Sequence, residues 1–167
     1  MTEPFVVRSA TLGDYREMCG LLAEVDELHR SNLPWMFKEP ALEPRPVQFF
    51  EQLLGSSDSA VLVADSGARL IGVAAVLMRS SPDFAVFVRQ SWAVLDNIAV
   101  ATSWRRRGVG TALIRDAERW AEARGAHWLE LGVYEFNDDA RAFYRALGYL
   151  PVSIKLRKPF PAQQGDT

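Results

Sequence analysis

The sequence holds a single cysteine, Cys19, which excludes an intramolecular disulfide and a metal site built from cysteines. No uncharged apolar run approaches the roughly 20 residues that a membrane span needs. The start, Met1 to Val7, lacks the basic segment and following apolar stretch of a signal peptide. Positive charge is not in excess either: 19 Lys and Arg face 21 Asp and Glu, for a net charge of −2. A general nucleic-acid binder is usually basic. Internal repeats and low-complexity tracts are also missing. These absences set the expectation of a soluble, cytoplasmic protein with no metal and no membrane or nucleic-acid partner.

What remains is ordinary globular material, 49% apolar and 24% charged over 167 residues. That length fits one domain, expected over residues 1–160 with a flexible tail over 161–167. Phe5 to Arg8 reads as a short strand. Thr11-x-x-Asp14 reads as a helix-start box, followed by Tyr15, Met18, Cys19, Leu22 and Val25 at helical spacing. From His29 to Pro46 the pattern is irregular, broken by Pro34, Pro40, Pro44 and Pro46 yet apolar at Leu33, Trp35, Met36 and Phe37. So long and apolar a loop is usually functional or packed as a lid. Val47 to Leu54 reads as a short helix. Ala60 to Asp65 and Leu70 to Met78 read as strands joined by the Ser66–Arg69 turn.

The second half alternates more cleanly. Ser91 to Val100 is a strand, and Val109, Ala112, Leu113, Ala117, Trp120 and Ala121 mark the apolar stripe of a helix that Gly125 ends. His127 to Tyr134 reads as a strand. Asn137 caps a helix with Asp138 and Asp139 in its first turn, and Gly148 stops that helix. Tyr149 to Leu156 reads as a last strand. The sum is an α/β fold with a mixed sheet flanked by helices.

The sharpest feature is Arg105-Arg106-Arg107-Gly108-Val109-Gly110-Thr111, between a strand and a helix. A helix N-terminus offers unpaired backbone N–H groups and partial positive charge. Glycines let an anion approach the backbone closely, and arginines supply donors suited to phosphates. The pattern points to a pyrophosphate or polyphosphate site. A Walker A loop would need Gly-Lys-Ser/Thr, which is absent. A dinucleotide fingerprint would need a third glycine where Leu113 stands.

Arg105-x-x-Gly108-x-Gly110 resembles the coenzyme A pyrophosphate motif of the GNAT superfamily of N-acetyltransferases. Leu95 to Val100 resembles that family's fourth strand. Asn137-x-x-Ala140-x-x-Phe143-Tyr144-x-x-x-Gly148-Tyr149 resembles its second cofactor segment. The resemblance covers Trp92 to Lys158 closely and Phe5 to Met78 loosely.

The resemblance implies the GNAT fold, with a mostly antiparallel sheet and a parallel pair splayed apart between the strands ending at Val100 and Tyr134. It implies acetyl-CoA as co-substrate and direct attack by an amine in a ternary complex. Backbone groups of Ile98 and Val100 would pair with the pantetheine arm. Amides of Arg106, Arg107, Gly108, Val109, Gly110 and Thr111 would hold the pyrophosphate, with Arg105 heading the motif. Asn137 would bond the pantetheine end, and Tyr144 would protonate the leaving thiolate. Asp96 is the candidate base for an acceptor ammonium with a pKa near 10. His29, Trp35 and Phe37 are candidates for the acceptor pocket, with a small-molecule or peptide amine as partner and a homodimer as the possible assembly.

Plainer readings stand beside these. The arginines fit a solvated basic turn, and Tyr144 fits a helix's core face. Asp96 fits a strand end paired with an arginine, and Asn137 a simple cap. His29 fits a polar surface, and Trp35 and Phe37 fit core packing. A protein that binds CoA as a sensor or interaction domain, without turnover, is the alternative function.

Overall fold

The computed structural model describes residues 4–39 and 45–160. The chain packs as two compact units, one ending at Gly132 and the other beginning at Val133.

The first unit holds one five-stranded sheet in the order β1-β2-β3-β4-β5. Its strands are β1 (Val6–Ser9), β2 (Ser59–Asp65), β3 (Leu70–Ser80), β4 (Ser91–Val100) and β5 (Leu129–Leu131). The first four pair antiparallel, and β5 joins β4 in parallel. Helices α1 (Tyr15–Asn32), α2 (Val47–Gly55) and α3 (Val109–Glu122) pack against it. Every residue from Leu70 to Val76 is buried. Successive strand residues point to opposite faces, so an unbroken buried run means that both faces of β3 are covered.

The start of α1 follows its sequence signal. Thr11 N–H donates to Asp14 Oδ2 at 2.7 Å, and the Arg8 guanidinium grips the same carboxylate at 2.9 Å. The Arg8 hydrogen bonds hold the Asp14 carboxyl well below the usual carboxylate range. The end of α1 differs from expectation. His29 lies in the helix's last turn, not in the loop, because Glu27 bonds Arg30 and Ser31 while Asn32 bonds the Leu28 carbonyl. These polar pairs extend a helix whose apolar stripe has already faded. It stops at Leu33, the residue before Pro34, where helical backbone is disfavoured. Part of the expected loop, including Pro40 and Pro44, lies outside the described residues, as does the tail over 161–167.

Helix α3 seats against β3 with little room. A Cβ on Gly72 would stand 2.9 Å from Leu113 Cδ1, 3.0 Å from Val109 Cγ1 and 3.3 Å from the Ala99 carbonyl. Leu113 and Val109 are fully buried. Overpacking such a contact costs about 1–3 kcal/mol. Gly72→Ala is therefore expected to lower Tm by roughly 2–12 °C, each kcal/mol being worth about 2–4 °C at this size. Thermal unfolding followed by circular dichroism checks it.

Two strand assignments are corrected. The strand expected over His127–Tyr134 is only Leu129–Leu131. Its ladder with β4 ends at Leu95↔Leu131, next to a bulge at Asp96. The strand expected over Tyr149–Leu156 does not form: residues 149–160 join no ladder. Leu150, Val152, Ile154 and Leu156 alternate as strand residues do, yet each is at least 79% exposed. Alternation describes a face, whereas a strand requires a partner, and Pro151 removes one donor besides.

The second unit is built on α4 (Asp138–Ala146). Asn137 caps it, its side chain accepting from Ala140 N–H at 3.1 Å. Gly148, at φ 91°, terminates it in a left-handed conformation.

Candidate active site

The end of β4 leads into a 3-10 turn at Thr102–Trp104 and then into the glycine loop. Two residues of this loop are left-handed, Arg106 at φ 62° and Gly108 at φ 84°. Left-handed residues among ordinary ones curl successive N–H groups toward one side, which makes an anion-binding concavity. Gly108 is the N-cap of α3, and no side chain caps the helix there. The first backbone bond of the helix runs from Ala112 N–H to the Gly108 carbonyl at 3.0 Å. The amides of Val109, Gly110 and Thr111 precede it and belong to the unpaired first turn. A Cβ at Gly108 would meet nothing within 4 Å, so the N-cap itself is open on that side. Loop and helix end together fit a pyrophosphate group.

The three arginines divide their work. Arg105 turns inward, its Nε donating to the Val100 carbonyl at 3.2 Å and its Nη2 lying 3.7 Å from Glu24 Oε2. Arg107 places its guanidinium 5.4 Å from the ring centroid of the buried Trp104, a cation–π arrangement. Arg106 carries the left-handed backbone.

On β4, the register passes from Ala75↔Asn97 to Val76↔Leu95, leaving Asp96 as the extra residue of a bulge. Bulges bend a strand and re-aim a side chain. Asp96 is exposed, and its Oδ2 accepts from Asn97 Nδ2 at 2.6 Å. The group that Asp96 bonds is thus the Asn97 side-chain amide. Beyond Leu95 the β5 ladder stops. Ile98 and Val100 pair with β3 at Ala74 and Gly72 and have no β5 partner. That is the edge on which an extended ligand could add as a strand.

Around the α1 end, the His29 and Phe37 rings stand 5.1 Å apart. Burial, outweighing the nearby Asp26 charge, pushes the His29 pKa below its ordinary value. Trp35 is 55% exposed. The structure therefore joins His29 to Phe37 and leaves Trp35 largely at the surface.

In the second unit, Tyr144 is the buried residue of α4. Phe143 and Tyr149 flank its ring at centroid distances of 5.3 and 5.9 Å. Burial pushes its phenol up to about 12. Asn137 carries its cap bond through Oδ1, which leaves the amide N–H groups as the remaining donors of the side chain.

Sequence reasoning missed Glu24, whose carboxylate reaches Thr102 across 78 positions, and Gly72 under α3. Neither contact has a local signal. Among the described residues no group of three His, Cys, Asp or Glu is placed to hold a metal ion. No described helix is long and apolar enough to cross a membrane.

A mixed sheet with a bulged strand running into a glycine loop and a helix N-terminus defines an α/β protein. Residues 22–149 match the family model described as Acetyltransferase (GNAT) family. The chain belongs to that family, whose members are acyltransferases.

The N-alpha-acetyltransferase RimI of Mycobacterium tuberculosis is 28% identical over 93% of this chain and 85% of its own. N-acetyltransferase family 8 member 3 of Rattus norvegicus is 29% identical over 58% of this chain. The chain covers only 40% of that relative's length. A mutant of the BH1408 protein of Bacillus halodurans shares the fold at a TM-score of 0.88, with 24% identity over 93% of this chain and 99% of its own. Glucosamine-6-phosphate N-acetyltransferase of Arabidopsis thaliana shares it at 0.71, with 16% identity over 95% of this chain and all of its own.

Proposed function

We propose that the chain transfers an acetyl group from acetyl-CoA to a primary amine, by direct attack within a ternary complex and as one catalytic domain over residues 1–160. The observation that carries this reading is the left-handed glycine loop at the N-terminus of α3, in a chain of the GNAT family. Amides from Arg106 to Thr111 hold the pyrophosphate. The free edge of β4 at Ile98 and Val100 receives the pantetheine arm, and Asn137 bonds its far end. A β4 backbone N–H near Ile98 polarises the acetyl carbonyl, stabilising the developing oxyanion.

Asp96, re-aimed by the bulge, takes the proton of the acceptor ammonium, directly or through water. The neutral amine attacks the carbonyl carbon, the C–S bond breaks to release the CoA thiolate with Tyr144 stabilising the departing sulfur, and the second proton of the attacking nitrogen passes to water. The acceptor is an amine of a small molecule, a peptide or a protein, and a homodimer is compatible with this chemistry. A panel of such amines, scored by release of free CoA from acetyl-CoA, tests the reading. CoA binding without thioester consumption for any amine would support a sensor instead.

His29, Trp35 and Phe37 are assigned to the acceptor side. Trp35→Ala and Phe37→Ala are each expected to raise the acceptor's KM about 10-fold, the scale of one lost apolar contact, and that of acetyl-CoA less than twofold. Initial rates with each substrate varied check this. Equal losses for both substrates, together with a lower Tm, would return these side chains to a packing role.

A further inference from the structure

The glycine loop holds, at Arg106, a backbone conformation that residue disfavours. Arg106 at φ 62° and Gly108 at φ 84° place two left-handed residues within three positions, and left-handed backbone is costly for a residue with a Cβ. Something must hold the chain there before any anion arrives. Downstream, α3 is seated on β3 under Gly72. Upstream, one carboxylate on α1 reaches the turn that leads into the loop. Glu24 Oε2 accepts from Thr102 N–H at 3.0 Å and from Thr102 Oγ1 at 2.6 Å. The same oxygen lies 3.7 Å from Arg105 Nη2, while Arg105 Nε reaches back to the Val100 carbonyl at 3.2 Å.

We propose that Glu24 is a positioning residue for the pyrophosphate loop. It latches the turn at Thr102–Trp104 to α1 and fixes Arg105 in the same latch, so that the amides from Arg106 onward are aimed in advance. This rests on the reading of the loop as the CoA pyrophosphate site. Arg105 then contributes through the latch and its backbone rather than through its guanidinium on phosphate.

The geometry favours positioning over bulk stability. Glu24 is exposed, and an exposed ion pair contributes little to folding. The hold of α1 on the sheet comes from buried Met18, Leu21 and Leu22. Two charge-assisted bonds to one residue nevertheless fix a direction. A site aimed beforehand does not have to order itself on binding.

The test combines Glu24→Ala, Glu24→Gln and wild type, with CoA as the calorimetric probe and amide hydrogen exchange over residues 105–111. Glu24→Ala is expected to raise the CoA dissociation constant about tenfold, the scale of a lost bond to a charged group. Exchange in the loop should quicken while Tm moves by less than about 4 °C. Glu24→Gln still offers Thr102 an acceptor oxygen and should recover most of the loss. In turnover, the KM for acetyl-CoA should rise while that of the acceptor holds.

Unchanged affinity and unchanged loop exchange in Glu24→Ala overturn the proposal. So does a loss of affinity that merely follows a large fall in Tm. If wild type binds no CoA, the pyrophosphate reading fails by itself and hydrogen exchange decides the latch. Faster loop exchange in Glu24→Ala keeps it, and identical exchange removes it.

Discussion

Gly108→Val is expected to raise the dissociation constant of the CoA complex about a hundredfold, or about 2.7 kcal/mol, while the fold survives. Gly108 sits at φ 84° and ψ −5°, as the N-cap of α3. A β-branched residue is an outlier in that region, and holding one there costs on the order of 1–3 kcal/mol. The chain can relieve the strain by turning the loop, which misdirects the amides of Val109 to Thr111. If the loop holds instead, the new side chain stands at the N-cap, next in sequence to those amides, where a Cβ meets nothing within 4 Å and its bulk would crowd an anion held there. Both routes weaken anion binding.

Gly125→Val is the control. Gly125 is also left-handed, at φ 77°, with nothing within 4 Å of a Cβ, but it lies past the opposite end of the same 14-residue helix. The helix between them is about 21 Å long at 1.5 Å per residue. The strain of Gly125→Val should lower Tm and leave CoA affinity intact. Calorimetry on both folded variants separates the outcomes. Equal CoA affinity in wild type and Gly108→Val would remove the loop from the binding site.

This loop was readable from sequence because its signals are local. Glycine marks left-handed backbone, and the stripe of Val109, Leu113, Ala117 and Ala121 marks the helix that follows. The Asn137 cap and the Gly148 stop were readable for the same reason. The bulge at Asp96 was not, because one extra strand residue shows only in the register against β3. Glu24 and Gly72 act across the fold and leave no periodic trace. The stretch from Leu150 to Leu156 misled in the other direction, since its alternation is present while its ladder is not. The last turn of α1 was missed because Glu27, Arg30 and Ser31 stabilise it through polar pairs, outside the apolar rhythm. Of the proposed site, then, the left-handed turn and the helix start were legible, while the reach of Glu24 to Thr102 was visible only in three dimensions.

Tyr144→Phe is expected to lower kcat about a hundredfold, at the lower end of the range for general acid–base groups, with acetyl-CoA affinity nearly unchanged. Burial pushes the Tyr144 phenol up to about 12, because a buried phenolate loses its hydration. The sign follows directly. The hydroxyl keeps its proton throughout the working pH range, so it is always competent to donate, and it begins to ionise only near pH 11.

That same shift limits what it can do. A CoA thiol resembles free cysteine, with a pKa of about 8.5. Full transfer from the phenol to a finished thiolate is therefore uphill by about 3.5 units, or nearly 5 kcal/mol. In the proposed mechanism Tyr144 would act mainly by a hydrogen bond that strengthens as charge reaches sulfur, and the thiolate is a fair leaving group without it. Hence the modest factor, and hence a second expectation: the pH–rate profile of Tyr144→Phe should keep the wild-type shape below pH 10 and lose only amplitude. Phenylalanine preserves the ring contacts with Phe143 and Tyr149, so Tm should hold. Single-turnover rates isolate the chemical step from product release. A Tyr144→Phe rate within twofold of wild type, measured that way, would leave Tyr144 as a packing residue of α4 and require another donor at the departing sulfur.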